Sequence, residues 1–432
     1  MTGSEGFVAV GVPVLIAGAN VMTARKVRAA NTLRRPACFG GFAPHVRCAS
    51  SITERETDMA FTGRELRTKI DEEGNLVLSL EEVTIDDPGD DEIIVRVEAA
   101  PINPSDLGLL IGPADVTSAK PADDGGIGLT LHVPSHRLPA VKGRIGQSLP
   151  IGNEGAGTVI AAGKDAVSLK GQRVGMIGGA MYADYRRIKA NDVIPLPAGA
   201  SAKDGAAIFV NPLTAQGFVE TALTEGHKAI IHTAAASNLG QMLQKICLAD
   251  GIPLINIVRS PEQVELMRAI GAKYVLNSKD ANFGEALTDA IVEIGATIAF
   301  DAIGGGTLGG EILQAMERAS VLTASEYNRY GSMTFKQLYI YGMLDAAPTT
   351  FDRGGIGFQF SISGWLLFPY LQKAGEAVAQ RFRGRVLDEL TTTFASKYTR
   401  VIGLAEALDP EILNAYVRKA TGEKFLIDPT IG

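Results

Sequence analysis

The chain has few of the features that mark secreted, membrane or nucleic-acid-binding proteins. Three cysteines in 432 residues are too few for a disulfide framework, which favours a reducing compartment. No apolar run reaches the roughly 20 residues that span a bilayer. A formal net charge of −7 argues against nucleic acid as a partner. The length and the 46% hydrophobic content indicate a globular protein of two domains plus an extension.

Acidic residues are also missing from one stretch, between Val21 and Glu54, in which arginine and lysine recur. A basic, acid-poor segment rich in alanine, serine and threonine is typical of an organellar transit peptide. Residues 1–58 are therefore predicted to be a transit peptide or a disordered extension. We expect the protein in an organelle, the mitochondrion rather than the plastid, or in the cytosol if translation starts at Met59.

Residues 228–250 are the segment around which the rest of the chain is organised. Apolar residues 229–231 predict a buried strand, the small residues 233–238 a tight turn, and the apolar periodicity after Gly240 a helix. Such a unit places a dinucleotide pyrophosphate at a helix N-terminus. Aligned from Gly240, Ala and Ser replace the first two glycines of the G-x-G-x-x-G fingerprint. The predicted contacts are Ala235, Ser237, Asn238, Leu239 and Gly240.

Further apolar runs follow this unit at 253–258, 271–276, 296–301 and 338–342, with helical segments between the earlier ones. Strands that alternate with helices imply parallel pairing with right-handed crossovers. The predicted class is α/β, with a doubly wound parallel sheet of Rossmann type. The alternative is that these are buried strands of some other α/β domain.

The end of the second predicted strand indicates which cofactor is bound. Enzymes that use NAD place an acid there to hold the ribose 2′-hydroxyl, but this chain has Arg259 and Ser260. A guanidinium suits a 2′-phosphate, which an acid would repel. NADPH is therefore the predicted cofactor, with Lys273 and Tyr274 as possible further neighbours. The alternative is an arginine that is merely solvated at a strand end.

The residues before 210 have a different pattern, of short alternating strands and glycine-rich turns. In chain order they include VEAAPINPSD, IGNEGAGTVIAAG, GQRVGMIGGAMYADY and FVNPLTAQG. These motifs resemble the medium-chain dehydrogenase/reductase superfamily, above all its zinc-free quinone oxidoreductase and enoyl-thioester reductase branch. The resemblance implies a GroES-like catalytic domain interrupted by a Rossmann domain, with NAD(P)H in the cleft. It also implies that Asn211 and Thr214 line the nicotinamide and that Gly304 lies low under the cofactor.

The expected domains follow from this resemblance. Residues 60–210 form the first part of the GroES-like catalytic domain, residues 211–348 the Rossmann domain, and residues 349–432 return to the catalytic domain. Residues 113–149 are longer than the family's usual link. This insertion is either a lid that faces the substrate or a solvated surface excursion.

Zinc is not expected, because the family's cysteine and histidine ligand positions hold Asn103 and Asn153. Without a Lewis acid, the expected reaction is hydride transfer to an already polarised acceptor, a quinone or an enone. The candidate hydrogen-bond donors to its carbonyl are Asn103, Ser105, Asn153 and Tyr182. Each has a structural alternative, in ordering its own loop or strand.

Two alternative functions remain. One is an organellar enoyl-thioester reductase, although residues 107–113 lack the tyrosine that the family's enoyl reductases carry there, which leaves the proton donor unidentified. The other is an NADPH-binding sensor or structural protein with little turnover. We expect a small-molecule substrate, a homodimer, no nucleic acid and no membrane span.

Overall fold

The computed structural model describes residues 60–122, 126–420 and 422–432, and the predicted transit peptide lies outside them. The residues before the cofactor unit are mainly antiparallel strands with two short helices. In chain order these are β1 Phe61–Ile70, β2 Asn75–Ile85, β3 Glu92–Pro101, α1 Pro104–Leu110, β4 Lys120–Pro121, β5 Gly128–His132, β6 Leu149–Pro150, β7 Glu154–Ala162, β8 Arg173–Ile177, β9 Tyr185–Lys189, β10 Val193–Pro195 and α2 Ala202–Gly205.

Helices alternate with strands in the next part of the chain, as the sequence predicts. These elements are α3 Val210–Thr224, β11 Ile230–His232, α4 Asn238–Asp250, β12 Leu254–Val258, α5 Pro261–Ala269, β13 Tyr274–Asn277, α6 Phe283–Ile294, β14 Ile298–Asp301, β15 Gly304–Gly306, α7 Leu308–Leu322, β16 Lys336–Ile340, β17 Asp345–Thr349, β18 Phe360–Gly364, α8 Leu367–Ala374 and α9 Glu376–Asp388. The chain ends with β19 Arg400–Ile402, α10 Pro410–Val417 and β20 Phe425–Ile427.

The catalytic part contains two sheets of described strands. The first has the order β4-β5-β2-β1-β6, and the second has the order β10-β8-β7-β3-β20-β19, with β9 also paired to β3. The last strand of the chain thus returns to β3, where Leu426 pairs antiparallel with Pro101. Apolar side chains from both sheets, including Leu66, Val97 and Met176, form one core cluster.

The parallel sheet has the order β13-β12-β11-β14-β16-β18, which is the doubly wound Rossmann arrangement 3-2-1-4-5-6. The predicted fold class is therefore confirmed. The helix after the cofactor turn buries the predicted face, which includes Met242, Leu243 and Ile246. Each such aliphatic side chain stabilises the fold by about 1.5–3 kcal/mol.

The expected domain boundary at 349 is wrong, because β18 pairs in parallel with β16, from Lys336↔Phe360 to Ile340↔Gly364. The Rossmann sheet therefore extends to Gly364. The strand was missed because FSISG is short and three of its five residues are serine or glycine, so it lacks the apolar run that identified the other strands. Only its pairing with β16 makes it a strand.

The predicted insertion extends the first sheet, since β5 pairs antiparallel with β2 from Asn75↔His132 to Ser79↔Gly128. Its Arg144 is buried, and its Nη2 donates to Thr68 Oγ1 at 3.0 Å and to Leu109 O at 3.1 Å. Leu109 lies in the last turn of α1. Much of the insertion is thus built into the sheet, and one of its side chains fixes the C-terminal end of α1.

Candidate functional site

The loop between β3 and α1 is held by Asp106. The carboxylate Oδ2 accepts the N–H of Asn103 at 2.8 Å, and Oδ1 accepts the N–H of Asn153 at 2.8 Å. Burial raises the pKa of Asp106 to about 7, although these two N–H groups act in the opposite direction. Asp106 therefore ties the two loops that carry the predicted hydrogen-bond donors.

Glu154, at the start of β7, connects the catalytic part to the Rossmann part. Its Oε1 accepts from Asn103 Nδ2 at 2.8 Å, and its Oε2 accepts the N–H groups of Phe209 at 3.0 Å and Val210 at 2.9 Å. A carboxylate at the first turn of α3 is favourable because unpaired N–H groups and the helix dipole point toward it. Burial raises the pKa of Glu154, against the effect of these donors.

The sequence analysis missed this role of Glu154. The feature of the sequence that could have revealed it is the acidic residue of the motif G-x-E-G, which lies in an otherwise apolar strand with several glycines. Such a residue needs buried donors, because an unpaired buried carboxylate is costly.

The predicted donors Ser105 and Asn153 lie together at the surface of the site, where Asn153 Nδ2 donates to Ser105 Oγ at 3.1 Å. Because the serine oxygen accepts this bond, its own O–H proton is free to point elsewhere. The pair therefore offers a hydroxyl and the second amide N–H for a carbonyl oxygen. Asn103, by contrast, is buried and uses its amide on Glu154, so it positions the loop.

Tyr182 was predicted as a donor to the substrate, and the structure corrects this. Its side chain is fully buried, and its hydroxyl donates to Pro101 O at 3.1 Å. The ring also lies against Gly152, where a Cβ atom would come within 2.6 Å of Tyr182 Cδ1. The sequence could not separate a buried from an exposed tyrosine on this turn, because the burial is produced by neighbouring strands.

The cofactor turn has the geometry expected of a pyrophosphate site. Ser237 is the N-cap of α4, and its Oγ accepts the N–H of Gly240 at 3.1 Å. A Cβ atom at Gly240 would lie 2.2 Å from Ala235 O, so only glycine permits this approach of helix and turn. Ala234 has φ of 48°, a left-handed conformation that alanine rarely adopts. Asn238 Nδ2 donates to Ser396 Oγ at 3.1 Å.

Two of the predicted pyrophosphate contacts point inward. Ala235 is fully buried, and its N–H donates to Ile257 O at 3.1 Å. Leu239, in the first turn of α4, packs in the core. Ala235 and Leu239 therefore contribute to the packing of the turn. The groups that remain available to a ligand are the backbone N–H groups at the N-terminus of α4 and the side chains of Ser237 and Asn238. These residues fit a dinucleotide pyrophosphate.

Arg259 follows β12 and is exposed; among the described residues no carboxylate forms an ion pair with its guanidinium. Its backbone N–H donates to Gln263 Oε1 at 2.9 Å. Ser260 is the N-cap of α5. At the carboxyl end of β12, the exposed Arg259 guanidinium thus has no ion-pair partner within the described part of the chain.

Lys273 and Tyr274 are not neighbours of Arg259, which corrects that expectation. Tyr274 pairs with Ile255 at the start of β12, whereas Val258, next to Arg259, pairs with Asn277. Three residues of strand separate the two ends by roughly 10 Å. Lys273 and Tyr274 bind Glu293 instead, at 2.8 and 2.6 Å. The sequence alone does not give the register between neighbouring strands, and this register decides at which end of the sheet a residue lies.

The remaining predicted contacts lie on α3 and after β14. Asn211 is half-buried in the first turn of α3, whereas Thr214 is buried. Gly304 has φ of 77°, and a Cβ atom there would lie 2.7 Å from Gly342 O. Its N–H donates to Asp301 Oδ2 at 3.1 Å, so this turn is both tight and pinned.

Within the part of the chain that the structure describes, no cluster of three or more His, Cys, Asp or Glu side chains has metal-site geometry. None of the described helices has the length and the apolar character that a membrane span requires.

The chain is similar to several known reductases. The alcohol dehydrogenase GroES-like domain family matches residues 89–198. Mitochondrial enoyl-[acyl-carrier-protein] reductases from Xenopus tropicalis and Caenorhabditis elegans are each 28% identical, over 47% and 69% of this chain. The matches span 53% and 76% of those proteins, so about half of the frog protein's length is represented.

Solved structures agree in fold. A putative NADPH:quinone reductase from Mesorhizobium loti superposes with a TM-score of 0.62 at 27% identity, over 85% of this chain and 98% of that protein. The complex of Etr1p with NADP and crotonyl-CoA superposes with a TM-score of 0.60 at 20% identity, over 85% and 100%. At that identity the second likeness concerns the fold alone.

Proposed function

We propose that the chain is an NADPH-dependent reductase of activated carbonyl compounds, because it is similar to the zinc-free quinone oxidoreductase and enoyl reductase branch of the medium-chain dehydrogenase/reductase superfamily. The acceptor is a quinone or an enone. The observation that carries this proposal is the Asn153–Ser105 hydrogen bond. It leaves two donors for a carbonyl oxygen beside the Glu154 contact that joins the catalytic and Rossmann parts.

The cofactor turn and the end of β12 hold the pyrophosphate and the 2′-phosphate of NADPH in this proposal. The α4 N-terminus, with Ser237 and Asn238, binds the pyrophosphate, and Arg259 binds the 2′-phosphate, with Ser260 beside it. Asn211 borders the nicotinamide. The bound cofactor supplies a hydride, and the protein holds the acceptor oxygen through Ser105 and Asn153, where negative charge develops. Asp106, Asn103 and Glu154 position these donors.

The choice of cofactor is tested with Arg259→Ala. A charge-assisted contact to phosphate is worth ~1.5–3 kcal/mol, which is roughly one to two powers of ten in affinity. NADPH binding, followed by nicotinamide fluorescence, should weaken by that factor, while NADH binding stays nearly unchanged. Arg268→Ala, on α5 but farther from the strand end, is the control. Equal losses for both cofactors would contradict the assignment.

The acceptor is tested with a panel of quinones, enones and enoyl thioesters, by following NADPH absorbance. Ser105→Ala and Asn153→Ala should each lower kcat by about 10²-fold on the accepted substrate, the usual effect of losing one donor to a developing oxyanion. Ser168→Ala, at an exposed serine after β7, is the control. A wild-type protein that binds NADPH but reduces nothing in the panel contradicts the proposal and favours a sensor.

The second candidate is an enoyl-thioester reductase, which the named relatives favour. The panel separates the two, because turnover confined to enoyl thioesters would select it. Since those relatives are mitochondrial by name, we also propose that residues 1–58 direct mitochondrial import. A reporter fused to this segment should enter mitochondria, and cytosolic retention in the native host contradicts that.

The homodimer is proposed from the edge of the Rossmann sheet. Among the described strands β18 forms one edge of the parallel sheet, and Trp365 N–H donates to Ile340 O at 3.0 Å. Because backbone groups alternate along a strand, Ile362 N–H and C=O point away from β16, where a second copy can pair. Light scattering should report twice the 45.5 kDa chain mass, less any transit peptide removed. A single-chain mass at micromolar concentration contradicts it.

A further inference from the structure

Lys424 lies next to the loop between β3 and α1, residues 102–103, although it is far from this loop in sequence. This loop is called the catalytic loop below. The antiparallel register pairs Leu426 with Pro101, and Ile102 N–H donates to Phe425 O at 3.0 Å. The next step along both strands brings Lys424 opposite Asn103. The backbone of Lys424 is fixed on its other side, where its N–H donates to Thr399 Oγ1 at 2.9 Å.

The ammonium group of Lys424 is buried without a hydrogen-bond acceptor among the described residues. Its stem is partly exposed, but Nζ itself is covered. It lies 5.5 Å from the centre of the Tyr398 ring, and the Lys203 ammonium lies 5.8 Å from the same centre. Burying an ammonium that has no acceptor costs several kcal/mol, so the fold tolerates an unfavourable arrangement at this point.

Two buried carboxyl groups act on this ammonium from neighbouring elements, Glu154 on β7 and Asp106 on α1. Both already have donors of their own, from backbone N–H groups and from the Asn103 amide. Neither is hydrogen-bonded to Lys424. The lysine therefore keeps its protons available, within the group of residues that positions Ser105 and Asn153.

We propose that Lys424 is the proton donor of the reductase, a catalytic residue that completes the reduction after hydride transfer. This proposal rests on the proposed function. The acceptor carbon gains the hydride from the cofactor, and the electron pair of the conjugated double bond moves to the carbonyl oxygen. One N–H bond of the ammonium then breaks and its proton passes to the resulting enolate. The neutral amine takes a proton back from water, so each cycle consumes one hydride and one proton.

The acidity of the group suits this role. Burial lowers the pKa of Lys424 to about 8, while Glu154 and Asp106 act to raise it. A proton donor is most effective when its pKa lies near the working pH, and such a donor contributes about 10²–10⁴-fold to the rate. Tyr398, the ring against the ammonium, has a pKa raised by its own burial, so it stays neutral.

The test compares Lys424→Met and Lys424→Arg with Lys203→Met, which removes the other ammonium over the Tyr398 ring. On the accepted substrate, Lys424→Met should lower kcat by about 10²-fold or more and change the NADPH dissociation constant by less than about threefold. Wild-type kcat should fall as pH rises through about 8, and this decrease should disappear in the variant. Lys424→Arg should also stay slow, because arginine keeps the charge but does not release a proton. Lys203→Met should retain the wild-type pH profile.

A second readout does not need turnover. In ¹³C-lysine NMR spectra, assigned by the signal missing from Lys424→Met, Lys424 should titrate near pH 8. A titration near 10.4, the ordinary lysine value, overturns the proposal while the proposed function stands. Full activity of Lys424→Met or of Lys424→Arg overturns it as well. So does a tenfold loss of NADPH affinity with kcat retained, which would make Lys424 a phosphate contact. If the wild-type protein reduces nothing in the panel, the proposed function fails instead.

Discussion

Two lysines have buried ammonium groups, but they differ in the hydrogen-bond acceptors that surround these groups. Lys336, at the start of β16, has no exposed surface, and its Nζ donates to Glu317 Oε2 at 2.5 Å, to Ser332 Oγ at 3.1 Å and to Thr334 O at 3.0 Å. Lys424, beside the catalytic loop, has no acceptor among the described residues. The first lysine has the partners of a structural charge, and the second is held without them.

The two regions also differ in whether their other buried groups are in favourable surroundings. Glu317 also accepts from the N–H and hydroxyl of Ser332, at 2.7 and 2.5 Å. Although burial raises the pKa of Glu317, these donors and Lys336 lower it overall. In the site region, Asp106 has a raised pKa and Ala234 has a left-handed conformation. Unfavourable local arrangements that persist in a fold are concentrated where function requires them.

The largest expected effect is on stability when each lysine is removed. Lys336→Met leaves Glu317 buried and uncompensated, which should lower the free energy of unfolding by about 3–5 kcal/mol. Lys424→Met removes a buried ammonium that has no acceptor, so the free energy of unfolding should rise rather than fall. Urea denaturation of both variants measures this. The double variant Glu317→Gln/Lys336→Met should recover part of the loss, and equal losses for the two lysines would break the comparison.

The next effect is a dependence of stability on pH that Asp106 produces. Its pKa is about 7 in the folded protein and about 3.9 unfolded. Between these values the unfolded chain loses the proton and the folded protein keeps it, so stability falls as pH rises from about 4 to about 7. Asp106→Asn should remove a slope of up to ~1.4 kcal/mol per pH unit. Denaturation at several pH values checks this, and an unchanged slope would mean that Asp106 is already ionised across that range.

The smallest effect concerns the backbone of the cofactor turn. Ala234→Gly should raise the free energy of unfolding by about 0.5–1 kcal/mol, because glycine adopts the left-handed conformation without the Cβ clash. Gly240→Ala, six residues away, should be destabilising, because its Cβ atom would meet the Ala235 carbonyl. Thermal denaturation compares the pair. If Ala234→Gly destabilises the protein, the turn is not strained at that residue.

The local segments of the fold were predictable because short stretches carry their own information. The strand, turn and helix at 228–250 appear as expected, since apolar periodicity and small turn residues act within a few positions of each other. Family motifs then placed these segments in order along the chain.

The sequence by itself determined the fold class, the cofactor turn and the chemical types of the candidate site residues. Only the tertiary structure decided that Tyr182 is buried and that β18 is a strand of the parallel sheet. It also decided that Lys273 and Tyr274 lie at the amino ends of the parallel strands, whereas Arg259 lies at their carboxyl ends. It alone also brought Glu154 to the start of α3 and Lys424 beside Asn103. The physical reason is that register, burial and hydrogen-bond partners arise from contacts between segments distant in the chain, and no local pattern encodes them.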